Sequence, residues 1–294
     1  MTTTREAYVA ARDRLRRAGI DDATFEAELL LRHALGLGHS RAALLTLMAE
    51  PHALDDAGLA AYEALIARRL AREPSAYILG RREFFHLDLE VTPAVLIPRP
   101  ETETVTEEAI RLARGLLSHD MRSPEDGLVV ADVGTGSGAI ALTLARALPD
   151  ASLIATDVSQ DALEVARRNA ARHALDGRIV FLHGDLLEPL TQGVDLLVAN
   201  LPYVTTSDLA AAEPEVRDYE PSLALDGGPD GLDYIRRLLA GAPSHLRDYG
   251  ALVLEIGAGQ GRKSREAAEA ALPHAHVTVL NDLAGRPRVL VVQT

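Results

Sequence analysis

The stretch LVVADVGTGSGAIALTLARAL, residues 128–148, constrains the fold more than any other part of this chain. An uncharged apolar run ending at Asp132 and Val133 reads as a fully buried strand. Gly134, Thr135, Gly136, Ser137 and Gly138 then pass directly into a helix-forming segment. Downstream the hydrophobic period keeps switching. SLIATD reads as a strand and DALEVARRNAARHA as a helix, RIVFLHGD and DLLVAN as strands, and GLDYIRRLLAGAPSHL as a helix. ALVLEI is a strand, GRKSREAAEAAL a helix, and HVTVLND and RVLVVQT look like a terminal hairpin. Seven strands alternating with helices predict an α/β fold, a doubly wound, mostly parallel sheet with helices on both faces.

The first part of the chain has a different character. From Thr4 to about Arg72 apolar residues recur at intervals of three and four, as in Leu29, Leu30, His33 and Ala34 and again in Tyr62, Leu65, Ile66 and Leu70. Three to five short helices are expected there, punctuated by Gly36, Gly38, Pro51 and Pro74. GRREFFHLDLEVT, residues 80–92, alternates apolar and polar residues as an extended or hairpin linker does. In LIPRPETE, Pro98 and Pro100 hold the backbone extended until Glu101 and Thr102 open a helix reaching about Leu117, followed by a loop, SHDMRSPEDG. The expected organisation is a small all-helical domain over 1–79, a linker or hairpin over 80–92, and a catalytic domain over 93–294.

Composition removes several classes of function. Without cysteine there are no disulfides, thiolate nucleophiles or zinc-thiolate sites. The ten histidines show no paired ligand spacing, so no metal is expected. No uncharged apolar run approaches the ~18 residues of a membrane span, so a cytoplasmic protein without membrane attachment is expected. Acidic and basic residues balance over the first 85 positions, which leaves the formal net charge of −13 on the remainder. That excess argues against a large phosphate-contacting surface and hence against direct binding of nucleic acid.

The glycine loop alone is weak evidence for a ligand. Its spacing is Gly-x-Gly-x-Gly, whereas pyrophosphate-binding turns of dinucleotide enzymes read Gly-x-Gly-x-x-Gly. Asp157 ends the next strand and is placed to accept hydrogen bonds from ribose hydroxyls, which dinucleotide enzymes also use. Asp185 ends the third strand, where it can accept from an adenine amino group while Leu186 packs on the ring; taken alone it reads equally well as a turn cap. Together these sites fit one nucleoside lying across the switch point of the sheet.

The fourth strand ends in Asn200-Leu201-Pro202-Tyr203, which resembles the Asn-Pro-Pro-Tyr motif of amino-group methyltransferases. An amide nitrogen is a poor nucleophile because its lone pair is delocalised into the carbonyl, so positioning is the main catalytic task. The Asn200 side-chain oxygen and the backbone carbonyl of Leu201 can accept the two N–H bonds of such a group, Pro202 stiffens the turn, and Tyr203 offers an aromatic face. Leu201 stands where the motif usually has its first proline, so a looser turn and a lowered but not abolished rate are expected.

With GRREFFHLDLEVTPAVLIPRPETE and EPEVRDYEPSLALDGGPDGLDYIRRLL, the resemblance extends over nearly the whole chain, to the release factor glutamine methyltransferases. It implies an S-adenosylmethionine-dependent methyltransferase sheet and a helical N-terminal domain that recognises class-1 peptide chain release factors. The target implied is the glutamine side chain of their Gly-Gly-Gln motif. Carried over by position, Gly134, Thr135, Gly136, Ser137, Gly138, Asp157, Leu186 and Asn200 contact the cofactor, joined by Asp185 from its place at a strand end, and Asn200 to Tyr203 contact the glutamine; a monomer is expected. Two further departures are His86, where a glycine is common, and Leu186, where some members carry a larger side chain. Pro98, Arg99 and Glu101 fall in a segment that the family places near the cofactor. The main alternative is a nucleic-acid base methyltransferase acting on an adenine or ribosomal RNA amino group, which would need a basic recognition region. A non-catalytic cofactor-binding module and a nicotinamide dehydrogenase are further alternatives.

Overall fold

A computed structural model of the chain describes residues 2–49, 52–117 and 127–294. Pro51 and the expected loop over 118–127, except Gly127, lie outside the described residues. By its internal contacts the chain divides into two units, Met1–Gly80 with Pro214–Tyr219, and Arg81–Glu213 with Glu220–Thr294.

The first unit holds α1 (Thr4–Arg17), α2 (Ala23–Ala34), α3 (Arg41–Ala49), α4 (Asp56–Leu70) and α5 (Ser75–Leu79). Thr3 and Glu6 form a reciprocal capping box at the start of α1, and Asp55 accepts from the Gly58 N–H at 2.7 Å to open α4. The apolar stripes meet in one core of Leu15, Leu30, Leu31, Leu44, Tyr62 and Ile66, where the buried Tyr62 hydroxyl donates to the Ala27 carbonyl at 2.9 Å.

The second unit begins with an antiparallel hairpin, β1 (Arg81–Phe84) and β2 (Leu87–Glu90), and continues with α6 (Glu101–Leu117), β3 (Val129–Val133), α7 (Ala139–Ala147), β4 (Ser152–Asp157) and α8 (Gln160–Arg172). Next come β5 (Ile179–His183), β6 (Val194–Ala199) and α9 (Thr206–Ala210). The short α10 (Pro214–Arg217) is counted with the first unit, where Glu215 accepts from Arg69 at 2.9 Å and from Arg72 at 3.0 Å. The chain closes with α11 (Asp233–Gly241), β7 (Leu246–Glu255), α12 (Gly261–Ala271), β8 (His276–Asn281) and β9 (Pro287–Gln293). Among the described residues no helix is long and apolar enough to cross a membrane.

The seven-stranded sheet runs in the order β5, β4, β3, β6, β7, β9, β8, with β9 antiparallel to both of its neighbours. This is the α/β architecture read from the sequence, and the terminal pair is a hairpin whose second strand sits beside β7. Period-two alternation splits β3 between two cores. Val130 packs with Phe84, Leu87 and Leu89 of the hairpin and with α6 and α7, whereas Val129, Ala131 and Val133 pack with Ile235, Leu238 and Leu239 of α11.

Two buried polar side chains brace the turn between β3 and α7. Asp132 is fully buried, and its Oδ2 accepts from the Thr135 hydroxyl at 2.6 Å and from the Ala141 N–H at 3.1 Å, tying the turn to the first coil of α7. Asn169 of α8, also fully buried, donates to the Ser137 carbonyl at 2.9 Å and to the Glu90 carbonyl at 3.0 Å, and accepts from the Glu90 N–H at 2.7 Å. One amide thus staples the hairpin to the glycine turn. Gly138 closes it in a left-handed conformation, φ 84°, and a Cβ there would meet Leu142 at 2.5 Å.

Replacing Asn169 by leucine strands the buried Ser137 carbonyl and the part-buried Glu90 N–H and carbonyl. Asn169→Leu is expected to cost about 2–4 kcal/mol of unfolding free energy; a urea midpoint equal to that of the parent chain would refute the staple. Burial pushes the Asp132 carboxyl up to about 7, against the opposing hydrogen bonds from Thr135 and Ala141. A folded-state value above the ordinary carboxylate range means that Asp132 favours folding in acid. This contribution is lost as pH rises, because the unfolded chain gives up its proton first. Asp132→Asn cannot ionise, so its stability relative to the parent should climb between about pH 4 and pH 7 and then level off. Urea unfolding across that range checks this, and a difference independent of pH would contradict it.

Candidate active site

Four parallel strands end at one edge of the sheet, and a cleft opens there. Its walls include Gly134, Thr135, Gly136 and Ser137 after β3, Asp157 at the end of β4, Asp185 and Leu186 after β5, and Asn200, Leu201 and Pro202 after β6. Helix α7 opens without a side-chain cap, and its first residues Ala139 and Ile140 also face the cleft.

Asp157 is both wall and brace. Its Oδ2 accepts from the Gly136 N–H and its Oδ1 from the Ser159 N–H, each at 2.8 Å. Burial raises its carboxyl, and these backbone donors oppose the rise. A carboxylate has about four lone-pair sites, which leaves capacity for a hydroxyl in the cleft. Asp185 is engaged differently, since its Oδ2 is paired with Arg237, whose guanidinium lies over the Tyr234 ring. Leu186 takes a left-handed backbone, φ 50°, held by the Thr156 hydroxyl donating to its carbonyl at 3.1 Å.

The Asn-Leu-Pro-Tyr turn is anchored from several directions. The Leu201 side chain is buried against the glycine turn, close enough that a Cβ on Gly134 would lie 3.2 Å from it. The 227–231 segment presses on the turn from the other side, and a Cβ on Gly227 would meet the Pro202 carbonyl at 2.6 Å. Gln260 donates to the Tyr203 carbonyl at 2.8 Å.

A side-chain network lies behind this turn. The Asn200 amide donates through Nδ2 to the Thr102 hydroxyl at 3.1 Å, Thr102 donates to Glu255 Oε2 at 2.6 Å, and Tyr203 donates to Glu255 Oε1 at 2.9 Å. Glu255 is almost wholly buried at the end of β7, and burial raises its carboxyl against the hydrogen bonds of Thr102 and Tyr203 and the charge of Arg288. Burial and the Glu255 charge together push Tyr203 up, so its phenol keeps its proton.

Two of the residues assigned to the cofactor or the target amide stand off the cleft wall. Gly138 caps α7 behind the loop, and Tyr203 turns inward. The Tyr203 ring packs against the core because a buried carboxylate needs its hydroxyl, which differs from the ring face toward substrate expected from the motif. Other lining residues carried no strong local signal: Val95 and Leu96 before α6, Thr102 in its first turn, Ala162 on α8, and Leu223, Ala224 and Tyr234. Of the trio in the proline-rich segment, Pro98 lines the cleft. Arg99 pairs with buried Glu220, which also accepts from the Ile97 N–H at 3.1 Å, while Glu101 begins α6 away from the wall. Only the charge of Glu255 within the apolar run ALVLEI could have marked it in sequence, whereas Glu220 stands among Arg217, Asp218 and Ser222 with no such contrast.

Comparison with known proteins identifies the family. Residues 6–80 match the PrmC N-terminal domain family, and residues 108–217 match the Methyltransferase small domain family. A protein of Geobacter sulfurreducens named "Release factor glutamine methyltransferase" is 45% identical over 259 residues, 88% of this chain and 85% of the relative. One of Moorella thermoacetica with the same name is 45% identical over 287 residues, 97% of this chain and 96% of the relative. Among solved structures, the human Mettl16 catalytic domain covers 78% of this chain and 81% of its own at 18% identity, TM-score 0.52. A methyltransferase of Pyrococcus furiosus covers 77% and 96% at 18% identity, TM-score 0.50. These two share the fold alone. The near-full-length likeness at 45% identity, joined to the helical unit and the methyltransferase sheet, makes the chain a member of the release factor glutamine methyltransferase family.

Proposed function

We propose that the chain transfers the methyl group of S-adenosylmethionine to the side-chain amide nitrogen of the Gly-Gly-Gln glutamine in class-1 peptide chain release factors, in the cytoplasm where those factors act. The observation that carries this reading is the single cleft in which Asp157, Leu186 and the glycine turn meet Asn200. The Asp157 carboxylate suits the ribose hydroxyls, Leu186 the adenine face, and the glycine turn the methionine portion of the cofactor. Because Asp185 already shares its charge with Arg237, it suits the cofactor as one acceptor at the rim.

At the other end, Asn200 Oδ1 and the Leu201 carbonyl accept the two N–H bonds of the target amide. Holding those hydrogens in place fixes the plane of the nitrogen and points its weak lone pair at the sulfonium methyl, while positive charge developing on nitrogen is balanced by the two oxygens. The new N–C bond forms as the C–S bond breaks, S-adenosylhomocysteine leaves, and one amide proton passes to solvent. The net charge of −13 supports a protein target over a nucleic-acid base. The 1–79 segment is the release factor recognition domain in this reading, consistent with its match to the PrmC N-terminal domain family.

Tritiated methyl transfer to a purified class-1 release factor, compared with the same factor carrying a substituted Gly-Gly-Gln glutamine, tests the assignment. Label that depends on the glutamine supports it, and tight S-adenosylmethionine binding without label on the factor overturns it. Asn200→Ala is expected to lower kcat about 10²- to 10³-fold. Buried packing already pins Leu201 where a proline ring would otherwise restrict the turn. Leu201→Pro should therefore raise turnover by no more than about a few fold, and single-turnover methylation rates of the two chains decide this.

A further inference from the structure

We propose that Thr102 and Glu255 are positioning residues that fix which end of the Asn200 amide faces the cleft. This rests on reading Asn200 as the acceptor for the target amide. An Asn side chain presents an oxygen at one end and an NH₂ at the other, nearly equal in size, and the wrong end would oppose a donor with a donor. Something must hold the choice against rotation about the Cβ–Cγ bond.

The network makes that choice by counting protons. The Thr102 hydroxyl has one hydrogen, and it goes to Glu255 Oε2 at 2.6 Å. Thr102 can then only accept, so the group it receives at 3.1 Å must be the Asn200 NH₂. Oδ1 is left as the cleft-facing acceptor. Tyr203 completes the arrangement by donating to Glu255 Oε1 at 2.9 Å, so both carboxylate oxygens act as acceptors and neither offers a proton to Thr102.

Packing alone does not account for a carboxylate at this place. Leu252, Val253, Leu254 and Ile256 around it are buried and apolar, and another apolar residue would fill position 255 at lower desolvation cost. What the carboxylate supplies is a group that only accepts. Glutamine is nearly isosteric but carries a donor at one end. Facing Thr102 with that NH₂ would turn the threonine proton toward Asn200 and favour the inverted amide.

The test compares the parent chain with Thr102→Val, Thr102→Ser and Glu255→Gln, measuring kcat, KM for release factor and the dissociation constant of S-adenosylmethionine. Thr102→Val and Glu255→Gln should lose about 10- to 100-fold in kcat, with cofactor affinity within about twofold of the parent. Thr102→Ser, which keeps the hydroxyl, should recover most of the turnover lost in Thr102→Val. Parent-like turnover in Thr102→Val, or equal losses in the serine and valine variants, would overturn the proposal. A parent chain that labels no release factor defeats the functional assignment instead, and a measurement without substrate then still decides the orientation. In ¹⁵N-labelled protein bound to S-adenosylhomocysteine, the Asn200 side-chain NH₂, assigned by its absence in Asn200→Asp, should be protected from exchange and lose protection in Thr102→Val. Free exchange in the parent, or protection unchanged in Thr102→Val, refutes the network.

Discussion

Parallel pairing of β6 with β3, from Val130 opposite Leu196 to Val133 opposite Ala199, is the constraint on which the cleft depends. The same register on the other side of β3 sets Val133 opposite Thr156, one residue before Asp157. Because both neighbours run parallel to β3, their carboxyl ends share one edge, and the two connections that leave β3 and β6 diverge to opposite faces. A slip of one residue in either pairing would turn Asp132 out of the α7 face and move Asn200 off the edge. The glycine turn, the acidic side chain after β4 and the Asn-Leu-Pro-Tyr turn meet only because this register holds.

Buried polar side chains then convert a coarse alignment into a defined site. Asp132 ties the glycine turn to α7, Asn169 ties it to the hairpin, Glu220 gathers Arg99 and the Ile97 N–H, and Glu255 gathers Thr102 and Tyr203. Each costs desolvation that apolar residues would avoid, and each fixes a backbone or amide direction that apolar packing leaves open. The strained and close-packed points lie nearby, at Leu186 with its positive φ and at Gly227 against the Pro202 carbonyl.

Much of the site was legible because its signals are local. Gly134 to Gly138 and Asn200 to Tyr203 are contiguous and sit at strand ends that the apolar runs announce. Tyr203 was read for its ring, since a motif says which residue is present and not which way it turns. In sequence Thr102 reads as a helix opener and Glu255 as one residue of the strand ALVLEI; each gains its meaning from a partner 153 positions away in the chain. Leu201 looked like a weakened proline, yet its side chain fills space beside Gly134 that only the folded chain defines.

The sequence by itself determined the alternation of strand and helix, the helical character of the first 79 residues, and the family, because hydrophobic period and contiguous motifs are properties of neighbours along the chain. Tertiary structure alone decided that β6 lies beside β3, that β9 enters antiparallel between β7 and β8, and that Glu255 reaches Asn200 through Thr102. Strand order and side-chain direction are set by long-range packing and by where buried hydrogen bonds find partners, and no local pattern encodes either.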